Sequence, residues 1–95
     1  MSFDDGRTVV AAAGTRVQLT TASTPCSWVT VVALTGNTGQ VNVGDIGVVA
    51  AAGATERGVP LLAGDSVTLP VRDASSLWLD SRVNGEGVTY LYGAG

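Results

Sequence analysis

The chain has 95 residues, enough for one domain with one core, and its 45% apolar content comes mainly from Val and Ala, with two Trp, two Tyr and one Phe. Net charge is −3, there is no Lys or His, and the five basic residues (Arg7, Arg16, Arg57, Arg72, Arg82) are spaced singly. This argues against a phosphate-tracking basic face, and it excludes a Ser-His-Asp triad and any His-based metal site.

The lone cysteine, Cys26, leaves no intrachain disulfide and no thiolate zinc cluster. It reads as a small buried hydrophobe, with no His to activate it. No basic n-region precedes an apolar stretch at the N-terminus, where Asp4 and Asp5 stand instead, so no signal peptide is expected. Apolar runs such as Val48–Ala52 fall far short of the ~20 residues of a membrane helix. A soluble protein made in the cytoplasm is expected, with neither nucleic acid nor membrane as partner. No stretch places apolar residues at helical spacing, whereas abundant Gly, Ser and Thr fit turns between short strands.

In chain order, residues 1–6 read as a flexible arm in which Phe3 either frays or docks on a neighbouring subunit. The single β domain then covers 7–95. Arg7–Ala12 suits a first strand that Gly14 breaks, and Arg16–Thr20 alternates polar and apolar. Residues 21–25 read as a loop. Trp28–Leu34 is the strongest strand, apolar on both faces, so it is central or meets another subunit. The Thr35–Gly39 turn leads to Val41–Val43, a turn at Gly44-Asp45, a strand at Ile46–Ala50 and an exposed loop to Gly58.

Pro60–Ala63 is an apolar anchor, Gly64-Asp65-Ser66 a turn, and Val67–Val71 a strand. Pro70, lacking an N–H, places that strand at an edge or ends it in a bulge. Beyond a loop at 72–75, Ser76–Asp80 is a strand. Asn84-Gly85 predicts a two-residue type I′ hairpin in which Leu77 faces Tyr92, Trp78 faces Leu91 and Leu79 faces Tyr90. Leu77, Leu79, Val88, Tyr90 and Tyr92 would then form a core stripe, with Trp78, Asp80, Arg82, Thr89 and Leu91 on the opposite face. About seven or eight short strands result, the pattern of an all-β sandwich, a jelly-roll-like fold or a small barrel.

The search for chemistry finds none. Asp45, Asp65, Asp73, Asp80 and Glu86 are scattered beside Gly, Ser or Ala and read as turn residues that satisfy local backbone donors. The Gly-rich segments do not run from a strand into a helix, so no phosphate-cradling loop is supported. Ser27 and Ser66 lack a base. No catalytic residue, cofactor or metal is expected, and the protein reads as a non-enzyme. What remains is surface. Trp28 and Trp78 belong either to the core or to an interface, where Trp is enriched among hot spots. Phe3, Pro70 and Leu91 join them as candidate interface residues.

From about Leu19 onward the chain resembles small phage virion proteins of the capsid decoration (cement) or head-associated type. The resemblance is carried by Thr24-Pro25-Cys26-Ser27-Trp28-Val29, the Asn37–Gly44 turn, Gly58-Val59-Pro60-Leu61, Ala63–Val71, Leu77-Trp78-Leu79-Asp80 and Asn84–Gly93. It is a pattern of turns and apolar positions, not a catalytic signature, and supplies no motif for capsid-binding residues. It implies a structural protein on the capsid surface of the virion, often a homotrimer at local three-fold positions, with the major capsid protein as partner. The alternative is a receptor- or carbohydrate-binding module of a tail fibre or spike, in which a Trp on a sheet face stacks on a sugar.

Overall fold

A computed structural model describes residues 2–51, 53 and 55–94. Eight strands form: β1 (Ser2–Val10), β2 (Val17–Gln18), β3 (Trp28–Ala33), β4 (Val41–Gly44), β5 (Val59–Leu61), β6 (Ser66–Leu69), β7 (Trp78–Ser81) and β8 (Glu86–Ala94). Among the described residues the one other regular element is a 3-10 turn at Ala74–Ser76, capped by the Asp73 side chain on the Ser75 N–H.

The strands make two four-stranded sheets, β1-β8-β3-β6 (sheet A) and β2-β7-β4-β5 (sheet B), and every pairing is antiparallel. First pairs with last, second with seventh, third with sixth and fourth with fifth, alternating between sheets. That order is the jelly roll. Each sheet keeps two free edges, so the molecule is a sandwich and not a closed barrel.

The inner faces interlock through small side chains. Val10, Val29, Val31, Ala33 and Val88 from sheet A meet Val41, Val43, Leu61 and Leu79 from sheet B, with Leu19, Cys26, Ala74 and Leu77 closing the gaps. Leu79 is fully buried, which is worth about 1.5–3 kcal/mol relative to exposure. Tyr90 and Tyr92 stack with ring centroids 6.1 Å apart and pack against this core.

Several expectations change. Residues 2–6, expected as an arm, form the first half of β1 and pair with β8 from Ser2↔Ala94 onward. The Asn84-Gly85 hairpin does not form: β7 pairs with β2 and β4, and β8 pairs with β1 and β3. Asn84 lacks the positive φ of a type I′ turn, and only Gly85 (φ 80°) adopts it. The turn therefore carries the chain across the sandwich. Leu77, Leu79, Val88, Tyr90 and Tyr92 do line the core, but from two facing sheets instead of one stripe.

Residues 46–50, expected as a strand, contribute one isolated bridge, Val49↔Arg57, within the long β4–β5 connection. The Leu62–Asp65 turn is closed by the Asp65 N–H on the Leu62 carbonyl at 2.8 Å, with Gly64 at φ 82° in its third position. It delivers the chain to β6, which is an edge strand of sheet A and stops at Leu69, just before Pro70. Pro60 also sits on an edge strand, β5, where its missing N–H does little harm.

Candidate binding surface

The outer faces of the two sheets differ. On sheet B, strand alternation turns Asn42, Trp78 and Asp80 away from the core, yet Asn42 is fully buried and Asp80 is 3% exposed. The β4–β5 connection and residues 13–16 cover them. Asp80, expected on an open face beside Trp78, instead accepts the N–H groups of Gly14 (3.0 Å), Ala50 (2.9 Å) and Ser81 (2.9 Å). Asn42 Nδ2 donates to the carbonyls of Val49 (3.2 Å) and Arg57 (3.1 Å) and to Glu56 (3.3 Å).

Glu56 also accepts from Gln40 and pairs with Arg82 at 3.3 Å, while Arg82 Nε donates to the Ala50 carbonyl at 2.6 Å. The Asn42 and Gln40 amides hold the Glu56 carboxyl below its ordinary range. This network pins the connection over sheet B. At its rim Ala13, Gly14, Ala51, Asp80, Ser81 and Arg82 line a shallow cavity of about 270 Å³.

Sheet A has no such cover. Its outer face presents Trp28, Thr30 and Val32 on β3, Thr89 and Leu91 on β8, Asp5, Arg7 and Val9 on β1, and Thr68 on β6. At one end of this face Trp28, half-buried, crosses Gly93, its register partner. Exposed Pro70 follows the Leu69↔Val29 pair, and Leu91, 37% exposed, lies one row inward. Thr30 and Thr68 share a hydroxyl hydrogen bond of 2.8 Å beside it.

Three of the five candidate interface residues, Trp28, Pro70 and Leu91, thus lie toward one end of sheet A, on or just beyond β3, β6 and β8. The Phe3 backbone pairs with Gly93 in the same row, and its side chain lies outside the described residues. Trp78 is separate: half-buried on sheet B, opposite Gln18 and Gly44. Ile46 (63% exposed) and Leu62 (61% exposed) are exposed apolar residues that the sequence does not single out, because each looks like a strand-edge residue and no local signal betrays its exposure.

At the other end of sheet A, Arg7, Leu34–Asn37 and Asn84–Glu86 line an open groove of about 460 Å³. Glu86 is engaged there, accepting from the N–H groups of Thr38 and Gly39 (2.9 Å) and from the Thr38 hydroxyl (2.9 Å). The Thr38 N–H chiefly lowers its pKa. Asp45, Asp65 and Asp73 take N–H groups within their own turns, Gly47 (2.8 Å), Leu62 (3.1 Å) and Ser75 (2.9 Å). Asp80 and Glu86 reach across the fold instead, and Asp73 does both, also accepting from the Thr24 N–H (2.9 Å) and the Ser23 hydroxyl (2.8 Å). Among the described residues no cluster of three or more Cys, Asp or Glu could hold a metal ion. Compared with known protein families, curated proteins and solved structures, the chain matches none.

Proposed function

We propose that this chain is a phage structural protein without enzymatic activity that decorates the outside of the capsid and stabilises it. The observation that carries the reading is the contrast between the sheets: sheet B is largely covered by its own polar clamp, whereas sheet A leaves Trp28, Pro70 and Leu91 toward one end of an uncovered face. That end is the surface offered to the major capsid protein. The five turn and strand acids, each occupied by backbone donors, fit a scaffold role better than a reaction centre.

Grouping in threes around a local three-fold position, which the resemblance implies, uses two different patches on each copy. The β6 edge beside Pro70 supplies one of them. A protein that binds only the assembled shell disfavours its disassembly by mass action. Gel analysis of DNA-filled heads lacking tails tests the proposal. Expected is a band at a copy number comparable to the major capsid protein; its absence, or a few copies per head, overturns the reading.

A second reading, a receptor- or carbohydrate-binding module of a tail fibre or spike, draws on the polar groove beside Arg7, Asn37 and Asn84. Against it, no aromatic side chain lines that groove, and Trp28 pairs with Gly93, four residues along β8 from the Thr89 that pairs with Arg7, roughly 13 Å at the rise of a strand. Such a module would be missing from tailless heads and retained by immobilised host glycans.

A further inference from the structure

We infer that the open edge of β1 pairs with a second copy of itself, antiparallel about a two-fold axis at Gly6. This contact goes beyond the capsid reading and does not depend on it.

The nine-residue strand β1 is an edge strand of sheet A, bonded on one side only, to β8. On β8 the carbonyls of Gly87 and Gly93 turn toward β3, accepting from Leu34 (3.0 Å) and Ser27 (2.7 Å). In an antiparallel ladder the residues opposite them, Val9 and Phe3, therefore point their own peptide groups away from β8, to the open edge. The Asp5 N–H agrees: it is taken by the Asp4 carboxylate at 2.8 Å and not by the ladder. Residues 3, 7 and 9 thus offer main-chain donors and acceptors along this edge, and residue 5 offers its carbonyl, with its N–H held by the exposed Asp4 carboxylate until a partner strand's carbonyl displaces it.

The same alternation sorts the side chains. Val10 is fully buried, the Thr8 hydroxyl donates to the Leu19 carbonyl at 2.5 Å, and Gly6 lies against the Tyr90 ring, so positions 6, 8 and 10 face inward. Asp5, Arg7 and Val9 face outward and are exposed. Among the described residues Arg7 has no carboxylate partner.

The sequence of this strand is self-complementary about Gly6. With the axis there, Asp5 stands opposite the second copy's Arg7, Arg7 opposite its Asp5, and Phe3 opposite its Val9. Main-chain groups meet as hydrogen-bonded pairs at these positions, and the two glycines face each other at the close-approaching, non-bonded position on the axis. Sliding the register by two residues puts Asp5 against Asp5 or Arg7 against Arg7, which is unfavourable. Sliding it by one mismatches the outward main-chain groups. Charge and main chain select one register, and the contact joins two four-stranded sheets into one continuous sheet. It is isologous, so it closes at two copies. It lies at the edge of sheet A opposite β6, so the two edges do not compete.

Sedimentation equilibrium from micromolar to near-millimolar protein tests it, on the full chain and on Asp5→Arg and Arg7→Asp variants, with circular dichroism as the folding control. Expected is a dimer that weakens with salt. Each single variant sets like charges opposite each other twice and is expected to lose about tenfold or more in dimer affinity. An equimolar mixture of the two variants restores acid opposite base and is expected to dimerise as well as the native chain, as is the doubly swapped protein. A monomer at every concentration overturns the inference, because it means the charges guard the edge instead of pairing it. So does a dimer indifferent to both substitutions, or two folded variants that fail to rescue each other.

Discussion

The indole of Trp28 lies across Gly93 so closely that a methyl group on that glycine would come within 2.6 Å of the ring. The glycine is what lets a tryptophan lie down on sheet A instead of standing out from it. Gly93→Ala is expected to lift the indole into water and to cost about 1–3 kcal/mol through overpacking. That corresponds to roughly 5–15 °C in Tm for a domain of this size. In a Trp78→Phe background, red-shifted fluorescence together with the lowered Tm is the expected result; an unchanged spectrum would mean that the ring does not rest there.

Asp80 ties three segments together through the N–H groups of Gly14, Ala50 and Ser81. Asp80→Ala leaves those donors without an acceptor in a buried place, at about 3 kcal/mol or more. The loss is expected to release the cover of sheet B while the inner core persists. Urea unfolding gives the magnitude. Hydrogen exchange gives the location, with the Ala50 amide accelerated well before those of β3.

Acid should loosen the clamps. The Thr24 N–H, then the Ser75 and Ser23 groups, hold the Asp73 carboxyl far below its ordinary value of 3.8. Glu86 and Glu56 are lowered too, chiefly by the Thr38 N–H and the Asn42 amide. A carboxyl whose folded pKa is depressed adds stability that is fully present above its unfolded pKa and is lost as pH falls toward the folded one. Tm is therefore expected to be flat near neutrality and to fall below about pH 4.5, where unfolded carboxyls begin to take up protons. Asp73→Asn should flatten the most acidic part of that decline; an identical acid limb in the variant would show that Asp73 does not contribute.

The Cys26 thiol is expected to be inert in the native protein. It is 9% exposed, its Sγ lies 3.2 Å from the Val71 carbonyl, and burial, then the Asp73 charge, pushes its pKa up. A chromogenic disulfide reagent should react with it only at the rate of unfolding, and react at once in denaturant. Rapid labelling without denaturant would contradict the packing.

Much of the fold was legible in the residues. Alternation marked β2, and a run apolar on both faces marked β3 as a central strand, which it is, with Val29, Val31 and Ala33 turned inward and Trp28 and Thr30 outward. Pro70 marked the end of an edge strand. Illegible was the identity of each strand's neighbour. Asn84-Gly85 specifies a sharp turn, but a turn does not record whether the chain returns beside the strand it left or crosses to the facing sheet. Both routes give Leu79 and Tyr90 a place in the core. Asp80 misled for a related reason: its strand position says outward, and only the distant Gly14 and Ala50 backbones, brought in by the fold, make that position buried. Likewise Trp28 and Pro70 share one end of sheet A through β3–β6 pairing, which no local pattern encodes.

The nesting of first strand with last has a consequence for synthesis on the ribosome. β8, Glu86–Ala94, is the central plank between β1 and β3, so sheet A stays in pieces until residues 86–94 have emerged. The nearest neighbours in the nest, β4 and β5, close the shortest loop, and each surrounding pair must close a longer one. Assembly that runs from the middle of the chain outward leaves β1 waiting longest for its mate. A stop codon at Glu86 would remove β8 and strand both β1 and β3 without a partner between them.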